Sequence, residues 1–237
     1  MNKSLLFISL LTIFSFLSCK NEELVKPKVT YDNLSKTKGE VIKDTTQIEI
    51  ADLPVLMEGT NYLIFPIGTV VSDRKSTKSS YEAGTSYTVS NYGEYQITGF
   101  LKNLKFQEIG KDSIYALSEK PIFIETATYL KPIADKNRLQ LLLYTLSDLD
   151  TNKDKKIDEN DVKSLYLSAI SGKDFIKISP DFQELIDWKL IDSKARLYFR
   201  TTEDSNKNGE FDKEDKLHYY FLNLLDKEKK VQEYKPV

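Results

Sequence analysis

Twelve consecutive residues, Asp204 to Asp215, place oxygen-bearing side chains at positions 1, 3, 5, 9 and 12: Asp204, Asn206, Asn208, Asp212 and Asp215. Gly209 holds position 6 and Phe211 position 8. So short a segment can gather these oxygens only by turning sharply, and glycine at 6 permits the positive φ of that turn. A large apolar residue at 8 would pin the turn to a core. A calcium ion takes six to eight oxygens at a flexible radius, so this donor spacing suits it, with the Glu210 backbone carbonyl as a further oxygen. A second copy lies upstream, with Asp150, Asn152, Asp154, Asp158 and Asp161 at the same positions, Ile157 at 8 and the Lys156 carbonyl at 7. It departs at position 6, where Lys155 replaces glycine and should cost about 1 kcal/mol of backbone strain. Its donor positions carry one more carboxylate than those of the later loop, Asp154 standing where the later one has Asn208.

Both segments, 150–161 and 204–215, resemble EF-hand-type calcium loops, of the dockerin kind because aspartate ends each one. The resemblance implies a calcium ion in each loop. It does not extend to the flanking elements, because Ala195 to Thr201, which enters the second loop, reads as a strand rather than a helix. The helical dockerin fold and its cohesin partner are therefore not carried over. The exits, Glu159 to Leu167 and Lys213 to Leu225, read either as strands or as segments with a helical turn.

The N-terminus is set apart from the fold. Met1-Asn2-Lys3 is a short positive region, and Leu5 to Leu17 is an apolar run of signal-peptide length, too short to span a bilayer comfortably. It ends Phe16-Leu17-Ser18-Cys19-Lys20, which resembles the lipobox of bacterial lipoproteins. The resemblance implies cleavage of a signal peptide, 1–18, and membrane anchoring through lipid on Cys19. That residue is the sole cysteine, so acylation would leave no disulfide, thiol nucleophile or thiolate metal site. Lys20-Asn21-Glu22-Glu23 is similar to the tag that follows the lipidated cysteine in surface-exposed lipoproteins of Bacteroidota. That likeness implies the outer membrane and an outward-facing domain, with the periplasmic face as the alternative. Residues 19–45, rich in polar residues and without helix or strand periodicity, read as a lipidated cysteine and flexible tether.

Residues 46–237 read as an all-β domain. Short alternating runs recur throughout, and Tyr and Phe together number 26. Two segments match with one residue of slack, Asn103 to Ile114 and Ser164 to Ile176, each with Gly-Lys-Asp between apolar runs, as a hairpin turn would have. A degenerate third copy runs from Gln47 to Ile109, with the calcium loop replaced by Ser72 to Tyr95, and Lys230 to Tyr234 would restart the pattern. About three four-stranded meander units of about 60 residues follow, propeller-like or sandwich-like, with the calcium loops between strands. Leu165 to Ile178 followed by Trp188 resembles the WD-like propeller repeat of bacterial envelope proteins, although the Ser-Pro-Asp-Gly that usually follows the tryptophan is absent.

Catalytic chemistry finds little support. His218 is the one histidine, without a nucleophile-elbow glycine pattern, and reads as a surface or half-buried strand residue. One histidine and a lipid-bearing cysteine leave carboxylates, which suit hard cations rather than zinc. A net charge of −2 offers no argument for nucleic acid. Trp188 reads as an anchor between sheets. Ser79 to Tyr95 sets Tyr81, Tyr87, Tyr92 and Tyr95 among small polar residues, a composition able to hold a glycan or an envelope protein. The leading expectation is a lipid-anchored calcium-binding interaction module without catalytic activity. A glycan-binding accessory lipoprotein is the alternative, and a hydrolase resting on two carboxylates comes after it.

Overall fold

The structure, a computed structural model, describes residues 26–31, 47–71 and 87–237. The signal peptide, Cys19, Tyr81 and the rest of the tether read at 19–45 lie outside the described residues. The first strands are β1 (Gln47–Ala51), β2 (Val55–Leu56), β3 (Tyr62–Val71), β4 (Ser90–Tyr92), β5 (Gln96–Leu101), β6 (Asn103–Glu108), β7 (Ile114–Ala116) and β8 (Phe123–Tyr129). A short helix, α1 (Lys131–Asn137), precedes β9 (Leu141–Ser147), β10 (Lys163–Ala169) and β11 (Ile176–Lys177). The chain ends in β12 (Gln183–Ile191), β13 (Arg196–Glu203), β14 (Lys216–Asn223) and β15 (Val231–Glu233). No helix among the described residues is long and apolar enough to cross a membrane.

The fold is all-β and its pairings are antiparallel. The strands form three sheets: five strands ordered β1-β3-β6-β7 with β2 on β3, six ordered β11-β10-β9-β8-β5-β4, and four ordered β12-β13-β14-β15. The sheets are unequal because β2 adds to the first and because β4, from the Ser72 to Tyr95 segment, and β5, which follows it, join the middle one. Both Gly-Lys-Asp segments do turn hairpins, β6–β7 and β10–β11, with Gly110 at φ +85° and Gly172 at φ +75°.

Two cores lie on opposite faces of the middle sheet. Ile64, Leu104 and Phe106 of the first sheet pack with Leu142, Tyr144 and Leu146 of β9. Leu197, Phe199 and Leu222 of the third sheet pack with Leu141 and Leu143 of the same strand. Successive side chains of a strand point to opposite faces, so a strand buried on both sides must be apolar almost throughout. That is why β9 reads Leu-Leu-Leu-Tyr-Thr-Leu-Ser. In β13 the alternation is stricter, with Leu197, Phe199 and Thr201 buried and the residues between them half-buried.

Candidate metal centres

Both acidic loops are the connections of β-hairpins. The first joins β9 to β10, which pair from Ser147 and Lys163 onward. The second joins β13 to β14, which pair from Glu203 and Lys216 onward. The exits that the sequence left open each begin with a turn, the N–H of Asp161 donating to Asp158 O and that of Asp215 to Asp212 O, and run on as strands from Lys163 and Lys216. Each loop closes over a paired strand end, so its first and last carboxylates start from a fixed separation.

Within that frame the loops have the same hydrogen-bond plan. In the first, the Asp154 N–H donates to Asp150 Oδ1 (3.1 Å) and Asn152 Oδ1 (2.9 Å), and the Lys155 N–H to Asp150 Oδ2 (2.8 Å). In the second, the Asn208 N–H donates to Asp204 Oδ1 (3.2 Å) and Asn206 Oδ1 (2.9 Å), and the Gly209 N–H to Asp204 Oδ2 (2.7 Å). The position-7 N–H reaches the position-5 side chain in both, Lys156 to Asp154 and Glu210 to Asn208, each at 2.8 Å. The closing aspartates repeat the match. Asp161 accepts from the N–H groups of Thr151 (2.7 Å) and Asp158 (3.0 Å), and Asp215 from those of Ser205 (3.0 Å) and Asp212 (2.9 Å). Asp158 and Asp212 each accept the N–H two residues on.

The backbone follows the same course. Position 4 has positive φ in both loops (Lys153 +62°, Lys207 +57°), and so does position 6 (Lys155 +69°, Gly209 +86°). Lys155 therefore occupies the left-handed conformation that glycine takes in its counterpart. Ile157 is buried and Phe211 half-buried, the apolar anchors expected at position 8.

These bonds orient the carboxylate and amide oxygens while leaving further lone pairs on each. Asp161 is fully buried, and burial pushes its carboxyl up against the pull of the N–H groups it accepts. Among the described residues no three His, Cys, Asp or Glu side chains form a metal cluster by themselves. A cation here would draw also on the amide oxygens of Asn152, Asn206 and Asn208 and on the carbonyls of Lys156 and Glu210. Such an all-oxygen set fits a hard cation.

Between the two loops runs a segment that the sequence reading assigned to the flexible tether. The N–H of Lys28 donates to Asn160 O (3.1 Å) and that of Thr30 to Thr151 O (2.9 Å), both in the first loop. The N–H of Val29 donates to Gly209 O (3.0 Å) in the second. Thr30 Oγ1 donates to Asn152 O (3.1 Å), and Thr151 Oγ1 to Lys28 O (2.9 Å). Lys28 bridges Glu210 in antiparallel fashion, and Val29 is buried. A Cβ at position 209 would collide with the Val29 carbonyl oxygen, so glycine is required there by the crossing segment as well as by φ. The Tyr31 hydroxyl is pushed up to about 12 by burial, by its hydrogen bond to Asp204 and by the charges of Asp204, Asp215 and Glu203.

Sequence reasoning missed this strap and the position-2 hydroxyls. Thr151 Oγ1 accepts the Val162 N–H (3.0 Å) and Ser205 Oγ the Lys216 N–H (3.1 Å), so each closes its loop onto the next strand. The signals were present: a hydroxyl at position 2 of both loops, and Val29-Thr30-Tyr31, three strand-favouring residues in a polar stretch.

His218 lies on β14 beside the second loop, but it is buried rather than exposed or half-buried. Its Nε2 is 2.8 Å from Glu203 and its Nδ1 2.9 Å from Glu233, which clamps the ends of β13 and β15 to β14. The bond to His218 holds the Glu233 carboxyl below its usual range.

Of the tyrosines, Tyr87 and Tyr92 are exposed and Tyr95 is half-buried. Tyr92 reaches Met57 Sδ and Tyr95 packs on the first core. The adjoining groove, about 770 Å³, is lined instead by Thr69, Thr88, Ser90, Asn91, Thr98 and Phe100. Trp188 packs against the second core and also borders a depression of about 310 Å³ with Glu125, Lys163 and Asp187. No protein-family model, curated protein or solved structure matches the chain.

Proposed function

We propose that the protein is a calcium-binding, lipid-anchored module of the bacterial envelope, held through Cys19 at the outer membrane and facing outward. The observation that carries the calcium reading is the residue-for-residue agreement of the two loops in hydrogen bonding and in backbone conformation. Lys155 keeps the left-handed backbone of Gly209 in spite of its Cβ, so the first loop holds the same arrangement of oxygens as the second. The lipobox-like Phe16 to Cys19 supports the anchoring, and the polar tag after it supports the facing.

In this reading Asp150, Asn152, Asp154, Asp158, Asp161 and the Lys156 carbonyl hold one ion. Asp204, Asn206, Asn208, Asp212, Asp215 and the Glu210 carbonyl hold the other. Calcium would supply charge neutralisation and a tie between the end of one strand and the start of the next. The chain's own part is to aim the oxygens with backbone N–H groups and to fix the loop ends by strand pairing. Two loops between the second and third strands of a meander also support a repeated unit: β8-β9-β10-β11, β12-β13-β14-β15 and, without a calcium loop, β1-β3-β6-β7. The expected role is to stiffen one end of an interaction domain where calcium is abundant, since extracellular-type loops bind at about 0.1–1 mM.

The test is thermal unfolding of the full chain in EDTA, in 10 mM calcium and in 10 mM magnesium. Calcium alone should raise Tm by roughly 5–15 °C, from mass action at two sites. Asp150→Ala and Asp204→Ala should each remove part of the rise. An equal response to magnesium, or no response, would make the loops plain acidic turns.

A further inference from the structure

The segment 26–31 belongs to neither loop, yet its backbone is bonded to both. Thr151 O and Asn160 O, the acceptors for Thr30 and Lys28, sit at positions 2 and 11 of the first loop. Gly209 O, the acceptor for Val29, is at position 6 of the second. These carbonyls lie on the turns that the ligand side chains shape. Thr151 is bonded through its N–H to Asp161, and Gly209 through its N–H to Asp204. A change in how either aspartate is held must therefore shift an acceptor of the strap.

We infer that residues 28–30 couple the two loops into one binding unit, so that the two ions load cooperatively and loss of calcium releases the strap. The inference rests on the calcium reading above and adds regulation to it. Ordering the strap has an entropic cost that the first ion to bind must overcome and the second does not meet again, which is positive coupling without direct contact between the sites. By linkage, whatever weakens strap seating weakens calcium binding by the same factor, and the reverse. Gly209 fits this role. Lys155, at the same position of the first loop, is exposed and has a side chain that the strap does not exclude, whereas Gly209 is where the strap crosses.

The test uses the full chain in detergent, with calcium chloride titrated calorimetrically into the wild type and into Val29→Asp. That substitution puts a charge at a buried point outside both ligand sets. Thr30→Pro serves as a second variant, since it removes the N–H bonded to Thr151. The wild type should bind two ions with positive cooperativity. Both variants should bind about tenfold more weakly and independently, within the usual range of site-to-site coupling. Hydrogen exchange at residues 28–30 should accelerate on adding EDTA to the wild type. Asp204→Ala should weaken the first loop's affinity in the wild-type background and not in Val29→Asp.

Variants that bind like the wild type, or amides at 28–30 equally protected with and without calcium, would overturn the coupling and leave the calcium reading standing. A wild type that takes up no calcium would overturn both.

Discussion

Position 6 of the two loops is a matched experiment in one chain. Lys155 and Gly209 adopt the same left-handed backbone, but only the lysine incurs the Cβ clash of that region. Lys155→Gly should therefore stabilise the fold by about 0.5 kcal/mol, the relief of strain being partly offset by the greater freedom of glycine in the unfolded chain. Gly209→Ala should act in the opposite direction and by more, about 2 kcal/mol, because its Cβ also meets the Val29 carbonyl. Urea unfolding of the pair, with and without calcium, would measure both. Equal and small effects would mean that the loops relax without cost.

At the level of elements, the joint between β10 and β12 carries the clearest pH signal. Glu184, on β12, is buried and accepts the Lys163 N–H at 2.7 Å. Burial raises its carboxyl from 4.5 to about 7, against the Lys163 N–H bond and the Lys163 charge, with the Glu125 charge adding to the rise. The folded state thus binds more protons than the unfolded state between pH 4.5 and about 7, so stability falls as pH rises through that window. The contribution is complete below pH 4.5 and gone above about 7, a span of about 3 kcal/mol at most. Glu184→Gln keeps an acceptor for Lys163 and cannot titrate. It should flatten the dependence and be more stable than wild type at pH 8 by about 1–3 kcal/mol. Denaturant unfolding from pH 5 to 8 would show this, and an unchanged slope in the variant would assign the dependence to other groups.

Across the whole molecule, β9 is the shared wall of both cores. Leu142 and Tyr144 face the first core and Leu143 the second, so neither outer sheet can lose its packing without exposing the middle one. Leu143→Ala should cost about 3 kcal/mol through the cavity it leaves, lowering Tm by roughly 6–12 °C. The transition should stay single, with Trp188 fluorescence and backbone dichroism coincident. Separate transitions would show that the third sheet melts alone.

The matching Asp and Asn spacing of the two loops, the strand that enters the second loop and the turns at Gly110 and Gly172 were legible in the sequence. Each depends on residues within a few positions of one another: oxygen spacing around a turn, alternation along a strand, glycine where φ is positive. The strap at 28–30 was not legible, although its residues favour extended structure, because its partners Asn160, Gly209 and Thr151 lie more than a hundred residues away. Such pairing is decided by which acceptors the rest of the fold leaves open. The sheets show the same division. The similar Gly-Lys-Asp hairpins begin with β6 and with β10, yet β6 and β7 lie in the first sheet and β10 and β11 in the middle one. The destination of β4 and β5 depends on burial against β8 rather than on local pattern. Short-range chemistry was therefore written in the order of residues. The coupling of the loops through the strap, and of the sheets through β9, came from long-range packing, whose entropy of closure and burial no local stretch encodes.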